Sequence, residues 1–130
     1  MPDPSAIERH LAAARASLRR VAVERFADVL AAGALVVDIR PEADRRAEGE
    51  LDGAVVIERV HLEWRLDPTS PDRIAEAVPG RRVVIVCNEG YSSVLAATSL
   101  VALGVDATDL DGGYRALVAI GSPLVRSGTT

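Results

Sequence analysis

Two long apolar runs constrain the fold of this chain more than any other feature. The runs "ALVVDI" at 34–39 and "RRVVIVC" at 81–87 are apolar along most of their length and do not alternate with polar residues. Strands of this kind are buried on both faces, and such strands belong to parallel sheets that helices cover on each side. The two runs therefore predict one α/β domain built on a parallel sheet.

Helical segments alternate with these strands and with the shorter apolar runs "DGAVVIE" and "DATDLDGG". The sequence predicts a short edge strand at 20–23 and helices within 24–33, 40–49, 59–68, 70–80, 93–104 and 114–121. In the 70–80 helix, Ser70 is the expected cap and Pro71 the first helical residue. A further amphipathic helix, capped by Ser5, precedes this alternation and carries the apolar stripe Ile7, Leu11, Ala14 and Leu18.

Composition and charge exclude several classes of function. The 130-residue chain carries a net charge of −4 and lacks a basic cluster, which argues against a nucleic-acid partner. No apolar run approaches the roughly 20 residues that span a bilayer. The single cysteine forms no internal disulfide, so we expect a cytoplasmic protein. His10 and His61 stand alone, so we expect neither a metal site nor a cofactor.

The single cysteine, Cys87, ends the most apolar strand. Ligands of an open parallel sheet bind beyond the carboxyl ends of its strands, which is where this thiol is expected. The loop "NEGYSS" and the helix after it would surround the sulfur with backbone N–H groups and a helix dipole, and these lower a thiol pKa. Gly90 gives the loop access to positive φ. Against this reactive cysteine stands the alternative of an inert, buried structural one.

A cysteine held in such a loop serves two chemistries. Phosphatases require an arginine six positions after the cysteine, and here that position is Ser93, while Glu89 adds a negative charge. Phosphate-ester hydrolysis is therefore not expected. A loop that stabilises a cysteine persulfide through backbone amides does not need the arginine.

Three motifs in order resemble those of the single-domain rhodanese-like family, which are sulfurtransferases. The stretch "VVDIRPEADRRAEGELDGAVVI" matches the first through Asp38, Arg40, Glu42, Gly49, Gly53 and Ala54. "VVIVCNEGYSSVLAA" resembles the active-site strand, loop and helix through Cys87 and Gly90. "DLDGGYRAL" resembles the closing signature through Gly112 and Gly113. The resemblance covers roughly residues 20 to 120.

The resemblance implies a three-layer α/β fold with a mainly parallel, five-stranded central sheet and helices on both faces. We expect an N-terminal helix at 1–19, the rhodanese-like domain at 20–122 and a frayed polar tail at 123–130. In that family the cysteine, here Cys87, carries sulfur from a donor to a thiophilic acceptor as a persulfide. The expected substrate-binding residues are Asn88, Glu89, Gly90, Tyr91, Ser92, Ser93 and Arg59.

The expected partners are a small sulfur donor and acceptor, or a partner protein that carries sulfur, with no nucleic acid or membrane. The chain itself is expected to be a monomer or a homodimer.

Departures from the family pattern qualify the expected activity. Arginine is common at the loop position that Ser92 occupies, and Glu89 would repel an anion, so we expect poor turnover of thiosulfate. Leu117 stands where a tryptophan is frequent, and Glu50 and Asp52 replace the usual His and Pro of the turn. An alternative is a non-enzymatic rhodanese-like module that binds a partner or senses sulfane sulfur. Asp38 and Arg40 are expected to form a structural ion pair and not a catalytic one.

Overall fold

A parallel sheet of four strands forms the centre of the computed structural model, which describes residues 2–126. Its strands are β1 (Leu35–Asp38), β3 (Ala54–Val56), β4 (Arg82–Val86) and β5 (Asp106–Asp109), in the order β3-β1-β4-β5. Strands β2 (Glu50–Leu51) and β6 (Val125–Arg126) form a small antiparallel pair. The helices are α1 (Ala6–Ala16), α2 (Phe26–Ala31), α3 (Glu42–Glu48), α4 (Leu62–Leu66), α5 (Ser92–Val101) and α6 (Gly113–Ala119).

The central strands are buried on both faces, as their apolar runs predict. Val37 and Ile85 belong to a core that includes residues of α4 and α5. Val36 and Val84, one residue away, belong to a second core with Phe26 of α2 and residues of α6. Successive strand residues point to opposite faces of a sheet, so each strand serves both cores. The predicted three-layer α/β architecture is confirmed.

The predicted fifth strand at 20–23 is reduced to one residue. Val21 lies beside Leu110 as an isolated parallel bridge, with its N–H bonded to the Asp109 carbonyl at 2.9 Å. The chain enters a 3-10 turn at Val23, so a second pair cannot form. The expectation of a five-stranded sheet is therefore corrected to four strands with a one-residue extension beyond β5.

The predicted helix within 70–80 is wrong, because this segment is a series of turns. The Ile74 N–H donates to the carbonyl of Arg65, and the Arg65 guanidinium donates to the carbonyl of Asp72. Both groups are thereby withdrawn from the i→i+4 ladder that a helix here would need. The Ser70 hydroxyl accepts from the Asp72 N–H, which closes a local turn instead of capping a helix.

The two ends of the described chain both pack on the domain. Ser5 caps α1 by accepting from the N–H of Glu8, and α1 packs against α5. Val125 and Arg126 form β6, so the predicted frayed tail is ordered as far as residue 126, and 127–130 lie outside the described residues. The divisions at 19/20 and 122/123 stay predictions. In the described part of the chain, every helix is too short or too polar to cross a membrane.

Candidate functional site

Cys87 follows β4 directly and lies at the carboxyl edge of the sheet, between the ends of β1 and β5. Residues 88–91 form the loop, and α5 begins at Ser92, as the sequence predicts. The cysteine is only 5% exposed. It nevertheless lines a cleft of about 460 Å³ whose other walls come from the β1–α3 connection and from α6. Cys87 is thus buried in the floor of a cleft and is not part of an exposed loop.

Two groups hold the sulfur directly. The Gly90 N–H donates to Sγ at 3.1 Å, and Sγ lies 3.2 Å from the Ser93 hydroxyl. Burial raises the pKa of the thiol. Hydrogen bonds from the side chains of Ser93 and Ser92 and from the backbone of Ser93 and Gly90 outweigh burial, so the pKa lies below its ordinary value. The lowered pKa favours the nucleophilic thiolate, as expected for a reactive cysteine.

Close backbone approach fixes the shape of the loop. Gly90 has φ +82°, the positive value that the sequence predicts. A Cβ on Gly90 would lie 2.8 Å from the backbone nitrogen of Gly112, and one on Gly113 would lie 2.5 Å from the Cys87 carbonyl oxygen. The absence of side chains lets the start of α6 meet the loop. There the N–H groups of Tyr114 and Arg115 donate to the carbonyls of Cys87 and Asn88 at 2.8 and 3.0 Å.

A buried ionic chain lies behind the sulfur. The Ser93 hydroxyl, which touches Sγ, also donates to Asp109 Oδ2 at 2.7 Å. Arg20 binds both Asp109 oxygens through Nε at 2.9 Å and Nη2 at 3.1 Å. Its Nη2 also donates to the Gly90 carbonyl at 2.9 Å. Arg20 is therefore connected to both groups that contact the sulfur.

Paired charges form the rim of the cleft. Arg115 of α6 donates to Glu48 at 2.8 and 3.1 Å and pairs with Glu89 at 2.9 Å. The side chain of Asn88 also donates to Glu48, at 3.0 Å. The ion pair with Arg115 lowers the pKa of Glu48 and raises that of Arg115. The positive charge of Arg115 is thus already engaged by two carboxylates.

Asp38 and Arg40 form the structural pair that the sequence predicts. Both side chains are 1% exposed, and Arg40 contacts the two carboxylate oxygens at distances from 2.8 to 3.2 Å. Its guanidinium also donates to the Gly49 carbonyl and lies 3.7 Å from the centre of the Tyr114 ring. These contacts join the end of β1 to α3 and α6, which form two walls of the cleft.

The structure brings together most of the predicted site residues. Asn88, Glu89, Tyr91 and Ser92 line the cleft with Cys87, whereas Gly90 contacts the sulfur from the loop and Ser93 contacts it from the first turn of α5. The prediction that Arg59 lies at the site is corrected. It does not line the cleft, and its guanidinium binds Glu63 at 2.8 Å. Helix α5 begins without a side-chain cap, and Ser92 and Ser93 lie inside its first turn.

Sequence reasoning missed Arg20, Asp109 and Arg115. A signal was present for Asp109, because it ends a strand next to β4 and parallel strands end at the same edge of a sheet. A carboxylate there had to lie near Cys87. Arg20 and Arg115 gave no such signal, since their positions depend on how the chain packs before β1 and after β5.

The arrangement supports nucleophilic chemistry at one sulfur. The site gives Cys87 a thiolate-favouring environment, a backbone N–H donor from Gly90, a neighbouring Ser93 hydroxyl and access from a cleft. Within residues 2–126, no group of three or more His, Cys, Asp or Glu side chains is placed to hold a metal ion.

Comparison with known proteins agrees with this geometry. The family model of the rhodanese-like domain matches residues 22–119, well over half of the chain. No curated protein is similar enough to count as a match.

Solved structures give the same fold. A protein of unknown function from Rhodopseudomonas palustris, described as a possible tyrosine phosphatase, is 25% identical, with TM-score 0.82 over 95% of this chain and 98% of that one. A thiosulfate sulfurtransferase from Pseudomonas aeruginosa is 26% identical, with TM-score 0.64 over 84% of this chain but 19% of its own. A human single-domain sulfurtransferase is 24% identical, with TM-score 0.65 over 77% and 95%, a likeness of fold alone.

Proposed function

Because this chain belongs to the rhodanese-like domain family, we propose that it is a sulfurtransferase whose Cys87 carries sulfane sulfur as a persulfide. The environment of the Cys87 sulfur is the observation that carries the proposal. The sulfur lies at the floor of a cleft, accepts a hydrogen bond from the Gly90 N–H and contacts the Ser93 hydroxyl, and the pKa of the thiol is lowered. A buried structural cysteine would have burial alone, and burial raises a thiol pKa.

The proposed reaction is a double displacement. The Cys87 thiolate attacks the outer sulfur of the donor, a bond forms between the two sulfurs, and the donor leaves with the electron pair of the broken bond. A nucleophilic acceptor then attacks the outer sulfur of the persulfide, and Cys87 leaves as a thiolate. The chain has no second cysteine, so the acceptor comes from another molecule.

The charges around the cleft favour a persulfide donor over thiosulfate. Two arginines, Arg40 and Arg115, line the cleft. Arg40 forms an ion pair with Asp38, and Arg115 forms ion pairs with Glu48 and Glu89. Asp44 and Glu89 add carboxylates to the same walls. A small dianion would compete with the carboxylates that already bind these arginines, whereas the persulfide group of a thiol carries at most one negative charge against the two of thiosulfate. We propose a persulfide of a small thiol or of a partner protein as the donor.

Phosphatase activity, suggested by the description of the Rhodopseudomonas palustris protein, receives no support from this site. The residue six positions after Cys87 is Ser93, and its hydroxyl is bonded to the buried Asp109 carboxylate. The arginine fork with which a phosphatase loop binds the phosphate dianion at this position is therefore absent.

Intact-protein mass spectrometry tests the proposal. The protein is incubated with glutathione persulfide, and separately with thiosulfate, alongside Cys87→Ser. We expect a gain of one sulfur that is absent in the variant, larger with the persulfide, and lost again on adding cyanide. Repeated release of sulfur to cyanide or a thiol establishes an enzyme. Loading without turnover favours the alternative, a sulfane-sulfur-sensing module, and no gain from either donor rejects both.

A further inference from the structure

The Ser93 hydroxyl has one proton and two neighbours that compete for it. Asp109 Oδ2 accepts that proton, with 2.7 Å between the two oxygens, while the sulfur lies 3.2 Å from Ser93 Oγ. When Cys87 is a thiol, its S–H donates to Ser93 Oγ and the Ser93 proton points to Asp109. A thiolate has no proton and only accepts, so its hydrogen bond with Ser93 requires the Ser93 proton to turn towards Sγ. The two protonation states of the sulfur thus differ by the rotation of one hydroxyl.

Arg20 supports both positions of that hydroxyl. Its guanidinium donates to both oxygens of Asp109, so the carboxylate keeps an ionic partner when the Ser93 proton turns away. The Asp109 side chain is 0% exposed and that of Arg20 is 16% exposed, so solvent does not replace these contacts at the carboxylate. The bond from Arg20 to the Gly90 carbonyl also ties down the residue whose N–H reaches the sulfur.

We propose that Asp109 and Arg20 are positioning residues for Cys87. Together they set the direction of the Ser93 hydroxyl proton, and Arg20 also fixes the position of Gly90. This inference rests on the proposed function, in which Cys87 is the reacting group. In sulfur transfer the acceptor attacks the outer sulfur, the bond from that sulfur to Sγ breaks, and the electron pair stays on Sγ. The Ser93 proton then turns from Asp109 to the new thiolate, and no proton leaves the site.

Other charged groups face the sulfur from the elements packed around it. They are Glu89 in its own loop, Arg40 after β1, Asp44 on α3 and Arg115 on α6. Each of these lies on the cleft side, whereas Asp109 and Arg20 lie behind Ser93. Changing Asp109 or Arg20 therefore removes no charged side chain from the cleft walls.

The rate of Cys87 alkylation by iodoacetamide as a function of pH tests the proposal, because this rate follows the thiolate fraction. We expect Asp109→Asn to react roughly three- to ten-fold faster near pH 6.5, since the competing carboxylate and its charge are removed. The rates should converge near pH 10, where Cys87 is a thiolate in both proteins.

Ser93→Ala should react more slowly than the wild type near pH 6.5. Asp111→Asn, which removes the exposed partner of Arg20, is the control and should match the wild type.

Asp109→Asn in a Ser93→Ala background separates positioning through the hydroxyl from the effect of the Asp109 charge through space. If Asp109 acts through the Ser93 hydroxyl, Asp109→Asn changes the alkylation rate less in this background: the logarithm of its fold-change is less than half of the value in the wild type. An equal fold-change in both backgrounds, or a pH profile that Asp109→Asn does not move, overturns the proposal.

Arg20→Lys gives a second test that does not depend on the folding of Asp109→Asn, because it keeps the positive charge and loses the fork. We expect slower alkylation near pH 6.5, and a wild-type profile would overturn the role of Arg20. Alkylation needs no sulfur donor, so its result is separate from sulfur loading. Loading with an unchanged profile rejects the positioning role alone. A changed profile without loading rejects the sulfurtransferase alone.

Discussion

At the residue scale, the side chain at position 92 controls how much positive charge the cleft offers to an anionic donor. Ser92 lines the cleft beside Cys87, and the two arginines of the same cleft are each bound by carboxylates. The sequence departs from its family at this position, where an arginine is common. A single change at Ser92 therefore tests whether charge selects the donor.

We expect Ser92→Arg to raise kcat/KM for thiosulfate by about ten-fold, because one charge-assisted hydrogen bond of about 1.5 kcal/mol corresponds to that factor. The change with glutathione persulfide should be smaller, since its persulfide group carries at most one negative charge and thiosulfate carries two. Steady-state sulfur transfer to cyanide measures both values. Ser92→Gln, of similar reach but no charge, is the control, and an equal gain with Gln would contradict the argument from charge.

Removing the charge of Asp38 tests the pair that supports the cleft wall. Asp38→Asn leaves Arg40 buried without its ionic partner, so we expect a loss of about 3–5 kcal/mol in the free energy of unfolding. The exposed pair of Glu42 and Arg46 is the matched control, and Glu42→Gln should cost less than about 1 kcal/mol. Urea denaturation measures both. Similar losses in the two variants would show that burial of the Asp38 pair does not matter.

The residues that sequence reasoning found and missed differ in one physical respect. Cys87 and its loop were predictable because an apolar strand, a polar loop and a helix follow one another along the chain. The contact of Arg20 with Asp109 joins residues 89 positions apart, and no local pattern specifies it. Arg59 was assigned to the site from its place in the chain, but Glu63, one helical turn later, holds its side chain instead.

At the element scale, the docking of α6 on the cysteine loop depends on Gly113. This glycine has φ +67°, and a Cβ there would lie 2.5 Å from the Cys87 carbonyl oxygen and 2.6 Å from the Asn88 carbonyl carbon. Both atoms belong to the backbone and have no freedom to move without the loop. The close approach of α6 to the loop thus requires glycine at position 113.

Gly113→Ala tests this docking against Gly121→Ala, which has nearly the same φ of +68° but nothing within 4 Å of the new Cβ. The control should cost about 1–2 kcal/mol of unfolding free energy from strain alone. Gly113→Ala should cost about 1–3 kcal/mol more, from overpacking against the loop. We also expect slower sulfur loading of Cys87 in Gly113→Ala only. Equal losses in the two variants would mean that the close approach is not specific.

At the scale of the whole molecule, the order of layers was predictable and the details at the edges were not. The apolar runs predict the buried strands β1 and β4, because only a sheet covered on both sides accepts them. The strand at Val21 is cut short because the chain enters a 3-10 turn at Val23, and the helix at 70–80 is replaced by turns because Ile74 and Asp72 bond to Arg65. Neither difference alters β1 or β4, at whose carboxyl ends Cys87 lies.

The lowered pKa of Cys87 makes the stability of the whole domain depend on pH. An unfolded thiol titrates at about 8.5, whereas the folded pKa lies lower. Between the two values the unfolded chain binds one proton that the native protein does not, so the free energy of unfolding rises with pH in this window. The contribution is fully present above about pH 8.5 and is lost as the pH falls through the folded pKa.

Cys87→Ser isolates this contribution, because the variant keeps every other titrating group and lacks the thiol. We expect the difference in unfolding free energy, wild type minus Cys87→Ser, to increase from pH 5 to about pH 9 and then level off. Urea denaturation of both proteins across this range, in the presence of a reductant, measures it. A difference that stays constant would show that folding does not perturb the thiol. A difference that falls with pH would mean that burial outweighs the hydrogen bonds from Gly90, Ser92 and Ser93, so that the site favours the thiol over the nucleophile.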